Sequence, residues 1–305
     1  MEVNIEKLNQ SKQYVLDNPP PMPNYKPGKS IVSSCYRTEI PGMFVLLTEL
    51  KRLNFELPIE IFYRSGELDS TEIHELTNIY PQWVQFKQIQ SNAKNFQDRW
   101  GNVKGWSTKV HAVIESEWAE NFWIDGDNFP IRNCLDLFLD PEYQSKGSLF
   151  WRDLYSIDRA NQYCDASAFW RVFDVTPNDG EPFESGQLLI NKPMVWKQMS
   201  MLLHFTENCE IYYSFGGDAE CWRMAWQYVA EKTGGYYQQY NYHQSDAVPY
   251  GFIPYDIRSP WGHSPNIFFS SISKFSGFIH SLHNILQLRN PIILMDYTIL
   301  FPIWI

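Results

Sequence analysis

Apolar and polar positions alternate through the first part of the chain so that strands and helices are predicted in turn. Three short apolar runs bounded by turn residues, at 29–35, 58–63 and 83–89, have the length of buried strands. Between them, apolar residues recur at helical spacing across 41–54 and again after Asp69. This alternation predicts an α/β fold with a mostly parallel central sheet covered by helices on both faces.

The rest of the chain contains fewer clear strands and one strong helix signal. Apolar residues repeat every three or four positions from Asp218 to Lys232, an acidic residue stands where a cap would, and Gly234 follows the last turn. The remaining predicted elements are strands at 122–124, 147–151 and 187–190 and helices at 107–119 and 194–205.

The two ends of the chain differ in composition from the predicted α/β region between them. Residues 1–27 are polar and then rich in proline, which predicts an extended lead-in on the surface of a domain spanning 28–305. The polar amino terminus predicts no signal peptide or anchor at that end. The apolar stretch 291–305 is short and contains Asp296 and two prolines, so a buried strand or docked tail is expected, with peripheral membrane contact at most.

Composition narrows the classes of partner. The formal net charge of −10 argues against a nucleic-acid partner but allows an anion held through a metal ion. Aromatic residues make up 16% of the chain, which suits walls that stack on sugars or bases and equally suits a filled core. Five scattered cysteines without a CxxC pair, and one N-x-S/T acceptor at Asn9, favour a reducing compartment.

Two carboxylates separated by one glycine, Asp125-Gly126-Asp127, directly follow the predicted strand at 122–124. In open α/β sheets, ligands bind beyond the carboxyl ends of the strands. A glycine lets the chain turn sharply so that both side chains can point the same way. Carboxylate oxygens suit Mg²⁺ or Mn²⁺. The alternative is an acidic turn capped by its own backbone.

Several motifs surround the acid pair. They are W-x-x-K-x-x-A-x-x-x-S from Trp106, F-W-I-D-G-D-N-F-P-I-R-N from Phe122, L-F-L-D-P-E-Y from Leu137 and G-S-L-F-W-R-D from Gly147. In this order and spacing they resemble the fungal Golgi α-mannosyltransferase family, which extends mannan side chains. E-S-G-Q at 184–187 and G-D-A-E-C-W-R at 217–223 are similar to two further landmarks of that family.

The resemblance implies a single GT-A-like glycosyltransferase domain, with 28–135 as the nucleotide-binding half and 136–305 as the acceptor half. The expected donor is a GDP- or UDP-sugar, the ion is Mn²⁺ or Mg²⁺, and the acceptor is an oligosaccharide or a glycoprotein glycan. Asp127 is the expected direct metal ligand, and Asp125 binds the ribose or the metal's water. A third ligand is expected from the carboxyl half, with His263 as first candidate and His243, His280 and His283 as others.

Further site residues follow from the same resemblance. Lys109 is expected to contact the diphosphate or the sugar, although a solvated helix lysine is the alternative. Asp218 or Glu220 is expected beside the reacting carbon, unless both are simply first-turn acids of a helix. Arg37 and Ser33 are candidates for the base and ribose, and Glu184 and Gln187 for sugar hydroxyls. The aromatic candidates for stacking, each of which also suits the core, are Trp151, Tyr212, Tyr213 and Trp222.

Several alternatives remain open at this stage. The family resemblance implies retention of the donor's configuration, whereas an inverting enzyme needs Asp218 or Glu220 as base. A non-catalytic carbohydrate-binding protein on the same fold is a second function, and a metal-dependent nucleotidyl- or phosphotransferase is a third. The expected compartment is the cytoplasm, with the Golgi lumen as the alternative.

Overall fold

The computed structural model describes residues 3–97, 103–130, 132–152, 166–177, 183–215, 217–234, 247–248 and 269–271. Within them the strands are β1 Lys26–Ser34, β2 Ile59–Tyr63, β3 Val84–Gln88, β4 Phe96–Gln97, β5 Val103–Lys104, β6 Trp118–Ile124, β7 Asn128–Pro130, β8 Ser148–Arg152, β9 Phe183–Asn191, β10 Ala247–Val248 and β11 Phe269–Ser271. The α-helices are α1 Ile5–Asp17, α2 Ile40–Arg52, α3 Ser70–Thr77, α4 Ser107–Glu115, α5 Pro141–Lys146, α6 Ala166–Phe173, α7 Trp196–Glu207, α8 Cys209–Tyr212 and α9 Asp218–Thr233.

Six strands form the central sheet, in the order β3-β2-β1-β6-β9-β8. The first four are parallel to one another, and β9 runs antiparallel to both β6 and β8. Ile31 of β1 lies in register with Ile59 of β2 and with Phe122 of β6. The predicted mostly parallel sheet is therefore confirmed, with one antiparallel strand inserted beside the strand that precedes the acid pair.

Helices cover both faces of this sheet. Successive strand residues point to opposite faces. Val32 and Trp123 accordingly join the core beneath α1, α4, α7 and α9, while Ile31 and Phe122 join the core beneath α2, α3 and α5. All four side chains are at most 1% exposed. Burial on both faces explains why Phe122, Trp123 and Ile124 at the end of β6 are all apolar and do not alternate with polar residues.

Two of the predicted helix signals have the expected local structure. At the start of α3 the Asp69 carboxylate accepts from the backbone N–H of Glu72, and the Glu72 carboxylate accepts from the N–H of Asp69, which is a complete capping box. Helix α9 ends at Gly234 in the left-handed conformation. Its predicted cap is wrong, because Asp218 is the first helical residue and Gly217 precedes it without a side-chain cap.

The predicted extended lead-in is wrong for residues 5–17, which form α1. The Asn4 side chain caps this helix by accepting from the N–H of Lys7. Leu8, Lys12 and Leu16 lie on one buried face of it, four residues apart. The helical pattern is hard to recognise because the middle member of that face is a lysine, whose Nζ donates to the carbonyl of Val172 at 2.7 Å.

Other boundaries shift by a few residues. Strand β1 begins at Lys26, where the backbone N–H of that residue donates to the carbonyl of Glu117 at 2.7 Å. Helix α4 ends at Glu115 rather than at 119, because Ser116 turns into an extended conformation and β6 begins at Trp118. No helix among the residues described above has the length and apolarity of a membrane span. The predicted terminal segment 291–305 lies outside those residues.

Candidate active site

The carboxyl end of β6 holds Asp125 against the neighbouring strand. The N–H of Asp125 donates to the carbonyl of Gly186 in β9 at 2.8 Å, and the N–H of Asn128 donates to the carbonyl of Asp125 at 2.9 Å. The Asn128 side chain donates to the same Gly186 carbonyl at 3.3 Å. The acid pair therefore sits in a tight turn fixed at both ends, directly after the buried strand, as the sequence predicts.

Glycines let two neighbouring backbones, those of β1 and α2, approach this turn. A Cβ on Gly126 would lie 3.1 Å from the carbonyl oxygen of Ser34, and one on Gly42 of α2 would lie 2.5 Å from that of Gly126. Neither glycine has a positive φ. The glycine between the acids is thus needed for close packing of α2 and β1 on the turn, and not for the conformational freedom expected from the sequence.

Lys109 of α4 is the central cation of the site. Its Nζ lies 3.0 Å from Oδ1 of Asp125 and 3.1 Å from Oδ2 of Asp218, and it donates to the carbonyl and the hydroxyl of Ser185 at 2.8 and 3.0 Å. Burial lowers the pKa of Lys109, but the Asp125 and Asp218 carboxylates raise it by more, so that its net pKa is raised. The lysine is 7% exposed and stays charged.

Asp125 is held by protein donors on both of its oxygens. The indole N–H of Trp123 donates to Oδ1 at 2.6 Å, and Lys109 reaches Oδ2 at 3.3 Å as well as Oδ1. Burial raises the pKa of Asp125 to about 6; Lys109 opposes that rise, and the charges of Asp127 and Asp218 add to it. Asp127, which is half-buried, has no hydrogen bond or ion pair within the described part of the chain.

Glu39, at the start of α2, is a third carboxylate beside the acid pair, and sequence reasoning missed it. A Cβ on Gly126 would lie 3.6 Å from its Oε2. Burial raises the pKa of Glu39 to about 8, and the charges of Asp125 and Asp127 contribute to that rise. The sequence signal that points to it is an acid five residues beyond β1, at the same edge of the sheet.

The residues at this turn fit a divalent cation. Asp127 adds a negative charge that Lys109, already paired with Asp125 and Asp218, does not neutralise. The Glu39 carboxyl, whose raised pKa of about 8 keeps it protonated near neutral pH, adds oxygen donors that a cation can use once it displaces the proton. Oxygen donors with surplus negative charge are the ligands that Mn²⁺ and Mg²⁺ prefer. Among the described residues no three His, Cys, Asp or Glu side chains converge as a complete metal site. His263 and the other three candidate histidines lie outside those residues.

Comparison with known proteins places this arrangement in a family. The model of the family described as "Mannosyltransferase putative" matches residues 28–181, about half of the chain. The chain belongs to this mannosyltransferase family. The match includes most of β1, all of α4 and the acid pair, and it confirms the resemblance drawn from the sequence motifs.

Two curated relatives of this mannosyltransferase family member are named α-1,2-mannosyltransferase MNN2. The one from Saccharomyces cerevisiae is 22% identical over 264 residues, which cover 69% of this chain and 43% of the relative. The one from Candida albicans is 24% identical over 119 residues, which cover 37% of this chain and 19% of the relative. The chain therefore matches less than half the length of either relative.

Solved structures identify the fold. The galactosyltransferase LgtC, in complex with donor and acceptor sugar analogs, superimposes with a TM-score of 0.53 at 13% identity over 80% of this chain and 87% of that chain. An active-site mutant of LgtC gives a TM-score of 0.51 over the same shares. The mannosyltransferase family member thus has the fold of the GT-A glycosyltransferases, as predicted.

The other predicted site residues lie at different distances from the acid pair. Gln187 is buried in β9 beside Ile124, and the Glu184 carboxylate accepts from the N–H of Gly186 at 2.5 Å. Both are therefore next to the turn. Glu220 instead pairs with Arg223 of its own helix at 2.6 Å. Both acids lie in the first turn of α9, but only Asp218 joins the lysine–aspartate cluster, and their roles beside the reacting carbon stay predictions.

The two residues near the end of β1 that are predicted to bind the base and ribose differ in exposure and in their partners. Arg37 is exposed and pairs with Asp69 and Glu72 at the start of α3, at 3.6 and 3.1 Å. Ser33 is buried, and its hydroxyl has no hydrogen-bond partner among the described residues. Their roles in base and ribose binding stay predictions.

The four aromatic candidates for stacking belong to the core, and each is at most 3% exposed: Trp151, Tyr212, Tyr213 and Trp222.

Replacement of Glu39 is expected to change how stability depends on pH. The pKa of Glu39 is about 8 in the folded state and 4.5 in the unfolded chain. Between these two pH values the folded state binds more protons than the unfolded chain, so the free energy of unfolding falls as pH rises from about 4.5 to about 8. In the presence of a chelator, Glu39→Gln should therefore be about 2 kcal/mol more stable than the parent at pH 9, and equally stable at pH 4. Urea unfolding at both pH values measures this.

The matched control is Glu75→Gln, which changes an exposed glutamate of α3. It should shift the free energy of unfolding by less than about 0.5 kcal/mol at either pH. Equal unfolding curves for the parent and Glu39→Gln at pH 9 would show that the fold does not raise the pKa of Glu39.

Proposed function

We propose that this chain is a metal-dependent glycosyltransferase that moves a sugar from a nucleotide-sugar to a hydroxyl of a glycan. The observation that carries the proposal is the cluster at the carboxyl edge of the sheet, where Lys109 lies between Asp125 and Asp218 and Asp127 stands beside them. The names of the curated relatives make mannose the first candidate for the transferred sugar and a mannose-containing glycan the first candidate acceptor.

Asp127 would hold the divalent ion, with Asp125 binding it directly or through water. When bound, that ion neutralises the charge of the departing nucleoside diphosphate. The chain itself supplies orientation, because Trp123 and Lys109 fix the Asp125 carboxylate in one position. A ligand set that is fixed before the donor arrives loses little free energy to reorganisation.

Asp218 favours retention of the donor's configuration. Its carboxylate lies 3.1 Å from the Lys109 ammonium and 3.5 Å from the Ser185 hydroxyl, so the fold holds it in one position. A carboxylate fixed beside the sugar can stabilise the positive charge that develops at the reacting carbon in the retaining route. The proposed retaining route has the leaving phosphate accept the acceptor's proton. Inversion, with Asp218 as base, is the alternative.

The proposal for the compartment follows the sequence alone. We propose that the protein acts in the cytoplasm, with the Golgi lumen as the alternative. We also propose that it has no nucleic-acid partner. The acidic net charge of −10 supports the second point.

Donor binding tests the proposal. A thermal-shift panel of GDP-mannose, UDP-sugars and CDP-sugars, each with Mn²⁺ and with EDTA, should give one donor class that raises the Tm only when Mn²⁺ is present. A ligand at about 100 times its Kd stabilises by about 2.7 kcal/mol, which such a panel detects. The same donor should then release nucleoside diphosphate when an α-mannoside acceptor is added.

The outcomes separate the candidate functions. Stabilisation by a donor without release of nucleoside diphosphate, with or without acceptor, would support the non-catalytic carbohydrate-binding alternative. Release of pyrophosphate or phosphate would support a nucleotidyl- or phosphotransferase. If no nucleotide-sugar changes the Tm in Mn²⁺, the proposal is wrong.

A further inference from the structure

Lys109 lies in the first turn of α4, and the helix itself does little to fix that turn. Within the described residues, α4 begins at Ser107 without a side-chain cap. The N–H groups of Thr108 and Lys109 donate three residues back, to the carbonyls of Gly105 and Trp106 at 2.9 and 3.2 Å. An uncapped helix end frays more readily than the middle of a helix. The position of the Lys109 ammonium therefore depends on contacts from outside α4.

Arg64 provides such contacts to the start of α4. Its guanidinium donates to the Thr108 hydroxyl at 2.7 Å, to the Ser107 hydroxyl at 3.1 Å and to the Gly105 carbonyl at 3.1 Å. That carbonyl also accepts from the N–H of Thr108. One side chain therefore holds both the chain before α4 and the first two helical residues, which directly precede Lys109.

Arg64 is itself fixed to the central sheet. It directly follows β2, which lies between β1 and β3. Its N–H donates to the Glu67 carboxylate at 2.8 Å, and its carbonyl accepts from the N–H of Glu67 at 3.1 Å. In the loop after β3, the guanidinium donates to the carbonyl of Lys94 at 3.4 Å and to the side-chain oxygen of Asn95. The first turn of α4 is thus tied to the ends of two parallel strands.

The shape of the guanidinium explains why an arginine stands at this position. The oxygens that accept from it within the described residues are hydroxyls, carbonyls and a side-chain amide, all of them uncharged. A planar group with several N–H donors in fixed directions can bind such a set at once, whereas a lysine ammonium is a compact point charge. The contacts therefore use the geometry of the side chain more than its charge.

We propose that Arg64 is a positioning residue, which holds the Lys109 ammonium between Asp125 and Asp218 by fixing the first turn of α4. The ammonium lies 3.0 and 3.1 Å from these two carboxylates, so a small displacement of the turn would open both ion pairs. The effect on turnover rests on the proposed function, whereas the effect on the position of Lys109 does not.

The first test follows Lys109 without any substrate. The folded full chain is treated briefly with acetic anhydride in EDTA, and mass spectrometry gives the acetylation rate of each lysine. Lys109 is 7% exposed, so its amine reacts only when the turn opens. Its rate should rise at least about tenfold in Arg64→Met, because the lost hydrogen bonds no longer oppose opening. Arg64→Lys should react like Arg64→Met within about threefold, because an ammonium cannot bind the same set of oxygens.

Two control variants exclude general effects on the acetylation rate. Arg52→Met removes an exposed arginine that pairs with Glu49 at the end of α2. Leu76→Ala destabilises the protein through a buried side chain of α3 and leaves Arg64 intact. In both variants the rate at Lys109 should stay within about twofold of the parent. The exposed Lys26 is the internal reference in every sample.

The second test separates an effect through Lys109 from any other effect on activity. The measured quantity is kcat/KM for release of nucleoside diphosphate from GDP-mannose in Mn²⁺ with an α-mannoside acceptor. Arg64→Met should lower it about tenfold in the parent, but less than about twofold in the Lys109→Met background. A purely structural role of Arg64 would lower it by the same factor in both backgrounds. If Lys109→Met has no measurable rate, the acetylation result decides alone.

The outcomes distinguish this inference from the proposed function. Unchanged acetylation of Lys109 in Arg64→Met, or an equal rise in Leu76→Ala, would overturn the inference. An equal loss of kcat/KM in both backgrounds would overturn it as well, because Arg64 would then act without Lys109. If the parent turns over no nucleotide-sugar, the proposed function fails, and faster acetylation in Arg64→Met still supports positioning of Lys109 by Arg64.

Discussion

Asp127→Asn is expected to lower turnover of the nucleotide-sugar at least about a thousandfold while leaving the protein folded. Within the described part of the chain, Asp127 makes no hydrogen bond or ion pair, so the amide leaves no protein partner unsatisfied. The bound ion supplies several kcal/mol of charge stabilisation, and each 1.36 kcal/mol is a factor of ten in rate. Asp125 alone is already bound by Trp123 and Lys109 and cannot replace the lost ligand.

Two measurements check this expectation. Release of nucleoside diphosphate gives the rate, and electron paramagnetic resonance with Mn²⁺ gives the affinity for the ion; both should fall together. The control is Asp136→Asn, the same chemical change at an aspartate that is about half exposed and pairs with Arg132. Turnover by Asp127→Asn within tenfold of the parent would mean that the acid pair does not hold the catalytic ion.

Local sequence patterns were sufficient to predict the strands and helices that position the acid pair. Buried parallel strands read as apolar runs because helices cover both of their faces, and Phe122 to Ile124 is such a run. The capping box at Asp69 and the glycine after α9 are likewise signals that lie within a few residues of the structure they specify. The position of the acid pair followed from these elements.

The pairing of charges could not be predicted in the same way. Lys109 and Asp218 are far apart in the chain, and helical periodicity says only that each lies near a helix start. Their contact depends on β9 bringing Ser185 between α4 and α9. The same holds for Glu39, which reaches the acid pair because α2 packs closely on Gly126.

Buried lysines explain the largest error in the fold. Lys12 and Lys192 are both fully buried, and each donates to main-chain carbonyls. Burial lowers the pKa of Lys12 to about 7 and that of Lys192 to about 6. A lysine in a helical pattern is normally counted as a surface position. For that reason the sequence pattern around Lys12 does not predict the buried face of α1.

Lys109→Met is expected to reduce the free energy of unfolding by about 3–5 kcal/mol, the cost of leaving buried charges without their partner. The substitution keeps much of the apolar stem and removes the ammonium that lies between Asp125 and Asp218. It also leaves the Ser185 carbonyl without a donor at 2.8 Å. Urea unfolding at pH 7 in the presence of a chelator measures the loss.

The control for an ordinary lysine is Lys26→Met, which breaks an exposed ion pair with Glu117 and should cost at most about 1 kcal/mol. A double variant identifies the cause of the larger loss. If the unpaired Asp218 charge dominates it, Lys109→Met combined with Asp218→Asn should be more stable than the sum of the two single changes predicts, by at least about 1 kcal/mol. Strict additivity would mean that the unpaired Asp218 charge does not cause the loss, which would then come from Asp125, the Ser185 carbonyl or packing.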